Sequence, residues 1–62
     1  MLTIEQQVVA QAIYENGRWL FQGKDTHMWL AEAEGKRRSG QRNEADEAYL
    51  ISGRLQGLDN NE

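Results

Sequence analysis

The sequence contains neither cysteine nor proline among its 62 residues. The absence of cysteine excludes disulfide bonds and thiolate-held zinc sites. A chain this short buries only about 60% of the surface that its unfolded form exposes. One core of this size rarely supplies more than ~3 to 5 kcal/mol, so small domains often depend on a disulfide, a metal or a second subunit. We therefore expect a homodimer.

Long apolar runs are also absent, and the N-terminus lacks the basic and then apolar layout of a signal peptide. We therefore expect a cytoplasmic protein with no membrane partner. Ten acidic and seven basic residues give a formal charge of -3, which disfavours nucleic-acid binding through overall charge. Hydrophobic residues at 39% and charged residues at 27% are typical of a globular domain.

The hydrophobic periodicity predicts an all-α fold built as one small domain over residues 1–62. Three short helices are expected, at about 4–16, 26–38 and 44–56. Residues 18–22 are expected to form an extended segment or a minor strand. The polar tail, residues 59–62, is expected to fray.

The first helix has a clear start and an ambiguous end. Thr3 and Gln6 fit a capping box. One side of the helix, its expected buried face, carries Ile4, Val8, Val9, Ala12 and Ile13. The dipeptide Asn16-Gly17 can end a helix, but it is also the strongest two-residue hairpin signal and would pair 18–22 with 12–15. We favour a helix followed by an extended segment.

The second and third helices carry their own boundary signals. Asp25 or Thr26 can cap the second helix, and Gly40 can close it in a left-handed conformation. Asn43 is the expected cap of the third helix. The core stripe of the second helix comprises Thr26, Trp29, Leu30, Ala33 and the stem of Arg37, and that of the third comprises Ala45, Ala48, Ile51, Ser52, Leu55 and Leu58.

Three consecutive large apolar residues form the predicted partner-binding segment. A simple two-sided element cannot bury Trp19, Leu20 and Phe21 on one face. Either a small core wraps both sides of the segment, or an intermolecular interface covers it. Tyr49 and Leu50 lie off the stripe of the third helix and add apolar surface that needs a partner. These five residues are the predicted partner-binding set.

A basic cluster supports an alternative function in nucleic-acid binding. Lys36, Arg37, Arg38 and Arg42 hold four of the seven positive charges. A locally positive face suffices for phosphate contacts. However, the following helix begins with Glu44, Asp46 and Glu47, which would repel phosphates. Complementing the helix dipole at the C-terminus of the second helix explains the basic residues better.

No motif points to catalysis, a metal or a cofactor. His27 has no nucleophile at a recognisable spacing, and the carboxylates lack the Glu-x-x-His partners of bundle metal sites. We therefore predict that the protein is not an enzyme and assign no catalytic, cofactor-binding or metal-binding residue.

Residues 14–34 resemble the pattern of a small bacterial helical domain family of unknown function. The resemblance rests on residues 14–18 (Tyr-Glu-Asn-Gly-Arg), 23–25 (Gly-Lys-Asp) and 29–34 (Trp-Leu-Ala-Glu-Ala-Glu). Lys24 stands where the family has arginine, and Met28 stands at its usual histidine. The resemblance implies a small helical domain and transfers no site residue.

These observations predict a small, non-enzymatic, helical protein-interaction module that binds itself and an unidentified protein. Small acidic helical proteins, including phage-encoded inhibitors, often regulate a partner by occupying its surface. The alternative is a nucleic-acid-associated regulator that uses the basic cluster.

Overall fold

The computed structural model describes residues 1–60. These residues form helix α1 (Ile4–Gln11), strands β1 (Ile13–Glu15) and β2 (Arg18–Leu20), helix α2 (Thr26–Arg38) and helix α3 (Arg42–Asn60). The strands pair as a two-stranded antiparallel sheet, so the described chain is mostly helical but not purely all-α. Within residues 1–60, no helix combines the length and the apolar character needed to cross a membrane.

Helix α1 begins as predicted and ends earlier. The Thr3 hydroxyl accepts a hydrogen bond from the Gln6 backbone N–H at 3.1 Å, and the Gln6 side-chain oxygen accepts one from the Thr3 N–H at 3.0 Å. This capping box confirms the predicted start. The prediction that the helix continues to residue 16 is wrong, because the chain leaves the helix at Ala12 and enters a strand.

A hairpin replaces the predicted end of the first helix. Asn16 and Gly17 have φ values of 54° and 80°, the positive values that a type I′ turn requires at both central positions. The turn pairs Ile13 with Leu20, Tyr14 with Trp19 and Glu15 with Arg18. The hairpin alternative was therefore correct, and the preferred continuation of the helix up to Asn16-Gly17 was wrong. The minor strand expected within residues 18–22 is present at Arg18–Leu20.

A second tight turn follows the hairpin immediately. Gln22 and Gly23 also have positive φ values, 56° and 79°. Across this turn the Phe21 N–H donates to the Lys24 carbonyl at 2.9 Å, and the Lys24 N–H donates to the Phe21 carbonyl at 3.2 Å. The chain therefore reverses twice within a few residues, and Phe21 points into the core.

Helix α2 has the predicted bounds. The Asp25 carboxylate caps its start by accepting a hydrogen bond from the Met28 N–H at 2.9 Å. At its end, Gly40 has φ 81° and donates to the Arg37 carbonyl, and Gln41 donates to the Lys36 carbonyl. These two bonds form a Schellman motif, which satisfies the last carbonyls and turns the chain sharply.

Helix α3 is longer than predicted at both ends. The Gln41 carbonyl accepts the hydrogen bond from the Ala45 N–H, so the helix begins at Arg42. The prediction of Asn43 as the cap is wrong, because the Schellman turn leads straight into the helix. Of the tail that was expected to fray, Asp59 and Asn60 lie in α3, and residues 61 and 62 lie outside the described residues.

One cluster of buried side chains joins α1, the segment after β2, α2 and α3 (Val8, Phe21, Trp29, Ala33, Ala48, Ile51 and Leu55). The predicted stripe of α3 is confirmed, with Leu58 half-buried at its end. On α2, Trp29 and Ala33 are buried as predicted. Leu30 is 38% exposed, so its prediction as a core residue is wrong.

Trp29 connects the hairpin to the helix pair. Its indole N–H donates a buried hydrogen bond to the Phe21 carbonyl at 3.0 Å, and the two rings lie 5.9 Å apart between centroids. The Lys24 ammonium lies 4.6 Å from the Trp29 ring centroid, within the range of a cation–π interaction. Lys24 also pairs with Glu32.

Replacing Trp29 with alanine is expected to leave the protein largely unfolded. A buried Trp→Ala change costs about 3 to 5 kcal/mol, which is comparable with the whole stability of a domain this small. Met28→Ala is the matched control, because Met28 lies on the same helix and is half-exposed. Thermal melting followed by circular dichroism measures both. A Trp29→Ala melting temperature near that of Met28→Ala would contradict the assigned role.

The cap of α2 is expected to make stability pH-dependent. The hydrogen bond from the Met28 N–H, and then the Arg18 guanidinium at 2.7 Å, hold the pKa of Asp25 below its ordinary value of 3.8. A carboxyl with a lowered folded-state pKa stabilises the protein above the unfolded-state value. This contribution is lost as the pH falls through the folded-state pKa.

Asp25→Ala should therefore lower the melting temperature at neutral pH, and its difference from the parent should shrink below pH 3.8. Asp25→Asn should lie between them at neutral pH, since asparagine still caps a helix but carries no charge for Arg18. If the difference in melting temperature between the parent and Asp25→Ala were the same at every pH, ionisation of the Asp25 carboxyl would contribute nothing to stability.

Candidate interaction surface

The five residues of the predicted partner-binding set occupy different environments. Phe21 is 1% exposed and belongs to the core. Trp19, Leu20 and Tyr49 are half-buried, and both Trp19 and Tyr49 pack against the core cluster. Leu50 is 48% exposed on α3. The core therefore takes up Phe21 and one side of Trp19, Leu20 is half-buried outside the core cluster, and Leu50 is the one residue of the set that is largely accessible.

A different set of apolar side chains is exposed in the N-terminal part of the chain. Leu2, Val9, Ile13 and Tyr14 are all largely exposed, and Ile13 and Tyr14 reach 63% and 61%. Sequence reasoning missed this group because it placed Val9 and Ile13 on the buried face of a helix at 4–16. The Asn16-Gly17 hairpin signal could have found Ile13 and Tyr14, since a strand there directs them to opposite faces.

The free edge of β1 lies beside these residues. In a hairpin with a two-residue turn, the two residues that flank the turn form a hydrogen-bonded pair. The next two residues along the strands form a non-hydrogen-bonded pair. Tyr14 and Trp19 therefore direct their backbone N–H and C=O groups away from each other. All three residues of β1 are exposed, and within residues 1–60 the Tyr14 backbone meets no partner from another segment.

The other edge of the hairpin is covered. The outward N–H of Trp19 donates to the Asp59 carboxylate of α3 at 3.2 Å. The next outward N–H and C=O, those of Phe21, bond to Lys24 across the second turn. Strand β2 also packs against α3. The hairpin therefore directs the edge of β2 towards the protein and the open edge of β1 towards solvent.

An aromatic pair marks the face of the hairpin that adjoins the core. The Tyr14 and Trp19 rings lie 5.4 Å apart between centroids and meet edge to face at 65°. This arrangement is favourable for the ring quadrupoles. Because Trp19 is held against the core, it fixes the position of the more exposed Tyr14. Tyr14 is therefore a positioned surface side chain at the open edge.

A small cleft of about 190 Å³ lies between α2 and α3. Its lining includes the aromatic side chains of Phe21 and Trp29. It also includes three acidic residues, Glu32, Glu44 and Glu47. Glu32 is already paired with Lys24, and Glu44 lies 3.4 Å from the Lys36 ammonium. Two of the three carboxylates that line the cleft are thus paired within the chain, and no ion pair of Glu47 is found among residues 1–60.

The basic cluster gathers at the turn between α2 and α3. Arg37 and Tyr49 line two adjoining open clefts, one of about 410 Å³ shared with Arg38 and one of about 580 Å³ shared with Arg42. Lys36 is paired with Glu44. Acidic residues line the same clefts, Glu34 in the first and Asp46 in the second. The arginines are therefore brought together, but close to carboxylates.

We expect polyanion binding by this cluster to be weak and confined to low salt. Carboxylates this close reduce the local potential, and beyond a Debye length of about 8 Å little of it remains at physiological salt. Filter binding of duplex and single-stranded DNA, with Arg37→Gln/Arg42→Gln as the comparison, measures this. Micromolar binding that persists at physiological salt and disappears in the double variant would instead support the nucleic-acid alternative.

His27 is exposed near the start of α2. Among residues 1–60 no three potential metal ligands come close enough together to hold an ion.

Comparisons of the chain with protein-family models, with curated proteins and with solved structures find no match. The resemblance of residues 14–34 to a bacterial family of unknown function therefore stays a prediction.

Proposed function

We propose that this protein is a non-enzymatic interaction module that associates with itself and regulates or inhibits another protein by occupying its surface. The observation that carries the proposal is the concentration of exposed apolar side chains in one short part of the chain. Five of the eight large exposed hydrophobic residues, from Met1 to Tyr14, lie in the first fourteen positions. Five large apolar side chains left exposed within fourteen residues favour a part of the chain that another protein covers.

The composition of the core supports self-association. Three of its eight buried hydrophobic residues are alanine, and only Phe21, Leu55 and Val8 combine a large side chain with complete burial. A core with so few large side chains contributes little hydrophobic free energy. Covering Ile13 and Tyr14 with a second copy would add apolar burial that one chain cannot provide.

The charge distribution favours a protein partner over a nucleic acid. The chain carries a net charge of -3, and its basic cluster is interleaved with acidic residues. The side chains of Val9, Ile13 and Tyr14 are apolar and exposed, and they lie on α1 and β1. The surface that the proposal uses thus lies on different elements from the four residues of the basic cluster.

Sedimentation equilibrium tests self-association directly. At tens to hundreds of micromolar we expect a mass that rises towards twice the 7.1 kDa of one chain. The melting temperature should rise with protein concentration over the same range, because association stabilises only the folded state. A mass of one chain at every concentration, with concentration-independent melting, would contradict the proposal.

A further inference from the structure

We infer that the open edge of β1 is the site at which a second copy of the chain docks, through antiparallel pairing of the two β1 strands about a two-fold axis at Tyr14. This inference rests on the proposed self-association and specifies its interface. It predicts a continuous four-stranded sheet in the order β2, β1, β1 of the partner, β2 of the partner.

The unsatisfied backbone of Tyr14 indicates a strand as the occupant. Its N–H and C=O point away from β2, and β1 is exposed along its length. An exposed edge of this kind is a template for another strand, since main-chain hydrogen bonds form with any strand of suitable register. The edge of β2 offers no equivalent site, because Asp59 accepts from the Trp19 N–H, Lys24 bonds both groups of Phe21, and α3 packs against the strand.

The positions of the available groups fix the register. Ile13 and Glu15 direct their backbone groups towards β2, so they cannot pair outward. Ala12 has its N–H bonded to the Val8 carbonyl, and Asn16 lies in the turn with positive φ. Tyr14 is therefore the one outward position of the strand with both groups free. Antiparallel self-pairing must place Tyr14 opposite Tyr14 of the second copy.

This register makes the strand complementary to itself. Each Tyr14 donates to and accepts from its counterpart, which satisfies all four backbone groups. The two rings lie on the same face, so the Tyr14–Trp19 contact of each chain extends into a row of four aromatic rings. Glu15 faces Ile13 of the second copy, and the two Glu15 carboxylates lie at opposite ends of the interface, without like-charge repulsion.

Two variants at Tyr14 separate the backbone contribution from that of the side chain. Tyr14→Pro removes the outward N–H but leaves the hydrogen bonds of the hairpin intact, and proline is tolerated at such edge positions. Tyr14→Val keeps the N–H and is the matched control. In sedimentation equilibrium we expect Tyr14→Pro to dimerise at least tenfold more weakly than Tyr14→Val. Equal dimerisation of the two variants would overturn the inference.

The absence of native cysteine allows a second test that does not change Tyr14. In the inferred register Ile13 and Glu15 of opposite copies form a non-hydrogen-bonded pair, with Cα atoms about 4.5 Å apart, within the range of a disulfide. Ile13→Cys and Glu15→Cys proteins are mixed in equal amounts and oxidised mildly. We expect the mixed disulfide to exceed clearly the one half given by random pairing. Random or same-variant pairing would overturn the register.

The outcomes distinguish this inference from the function on which it rests. In one outcome the parent protein dimerises, Tyr14→Pro dimerises as strongly as Tyr14→Val, and the disulfides form at random. That outcome supports self-association and contradicts the β1 interface. A parent protein that stays monomeric contradicts both self-association and the β1 interface. The remaining candidate for pairing with β1 is then a strand of a different protein. Circular dichroism of Tyr14→Pro establishes that its helices are retained.

Discussion

The hydrogen bond from the Trp29 indole to the Phe21 carbonyl determines how the two parts of this small fold meet. A buried indole N–H without an acceptor is costly, and here the acceptor belongs to the tight turn that follows β2. The bond fixes the Phe21 ring beside the Trp29 ring, in contact with the face of α3 that carries Ile51 and Leu55. Helix α2, the hairpin and α3 therefore share one centre, and Val8 brings α1 to it.

The same docking explains why the hairpin has two unlike edges. The carbonyl of Phe21 accepts from both Trp29 and Lys24, and the N–H of Trp19 is held by Asp59. These backbone groups at the edge of β2 thus attach the hairpin to the rest of the protein. Strand β1 is left outermost because the hairpin has only two strands, and one of them must face away from the protein.

Local sequence signals were sufficient to predict the bounds of an element where each signal fits only one structure. The bounds of α2 follow from a capping carboxylate at Asp25 and a left-handed glycine at Gly40, and both act within one turn of the helix. Asn16-Gly17 fits either a helix end or a hairpin, and contacts distant in sequence decide between them. The bond from Trp19 to Asp59 spans forty residues, and no local pattern reveals it.

The inward direction of Phe21 was unpredictable for a related reason. It depends on a positive φ at Gln22, a value that glutamine does not favour. The residue at this position therefore does not predict the second turn. That turn buries Phe21 and removes it from the predicted partner-binding set. The misplaced end of α1 has the opposite effect on Ile13, which was assigned to a buried helical face and is exposed on a strand.

The geometry of the hairpin also limits the assembly that it can form. A sheet that grows by edge pairing continues into a fibre when each added copy presents a new open edge. Here the second copy would contribute its own β1, and the edges remaining at both ends would be those of β2. In each chain Asp59 holds the Trp19 N–H, Lys24 bonds both groups of Phe21, and α3 packs against β2. The inferred pairing is therefore isologous and closed, so that the attachment of the hairpin to the helices also ends the assembly at two chains.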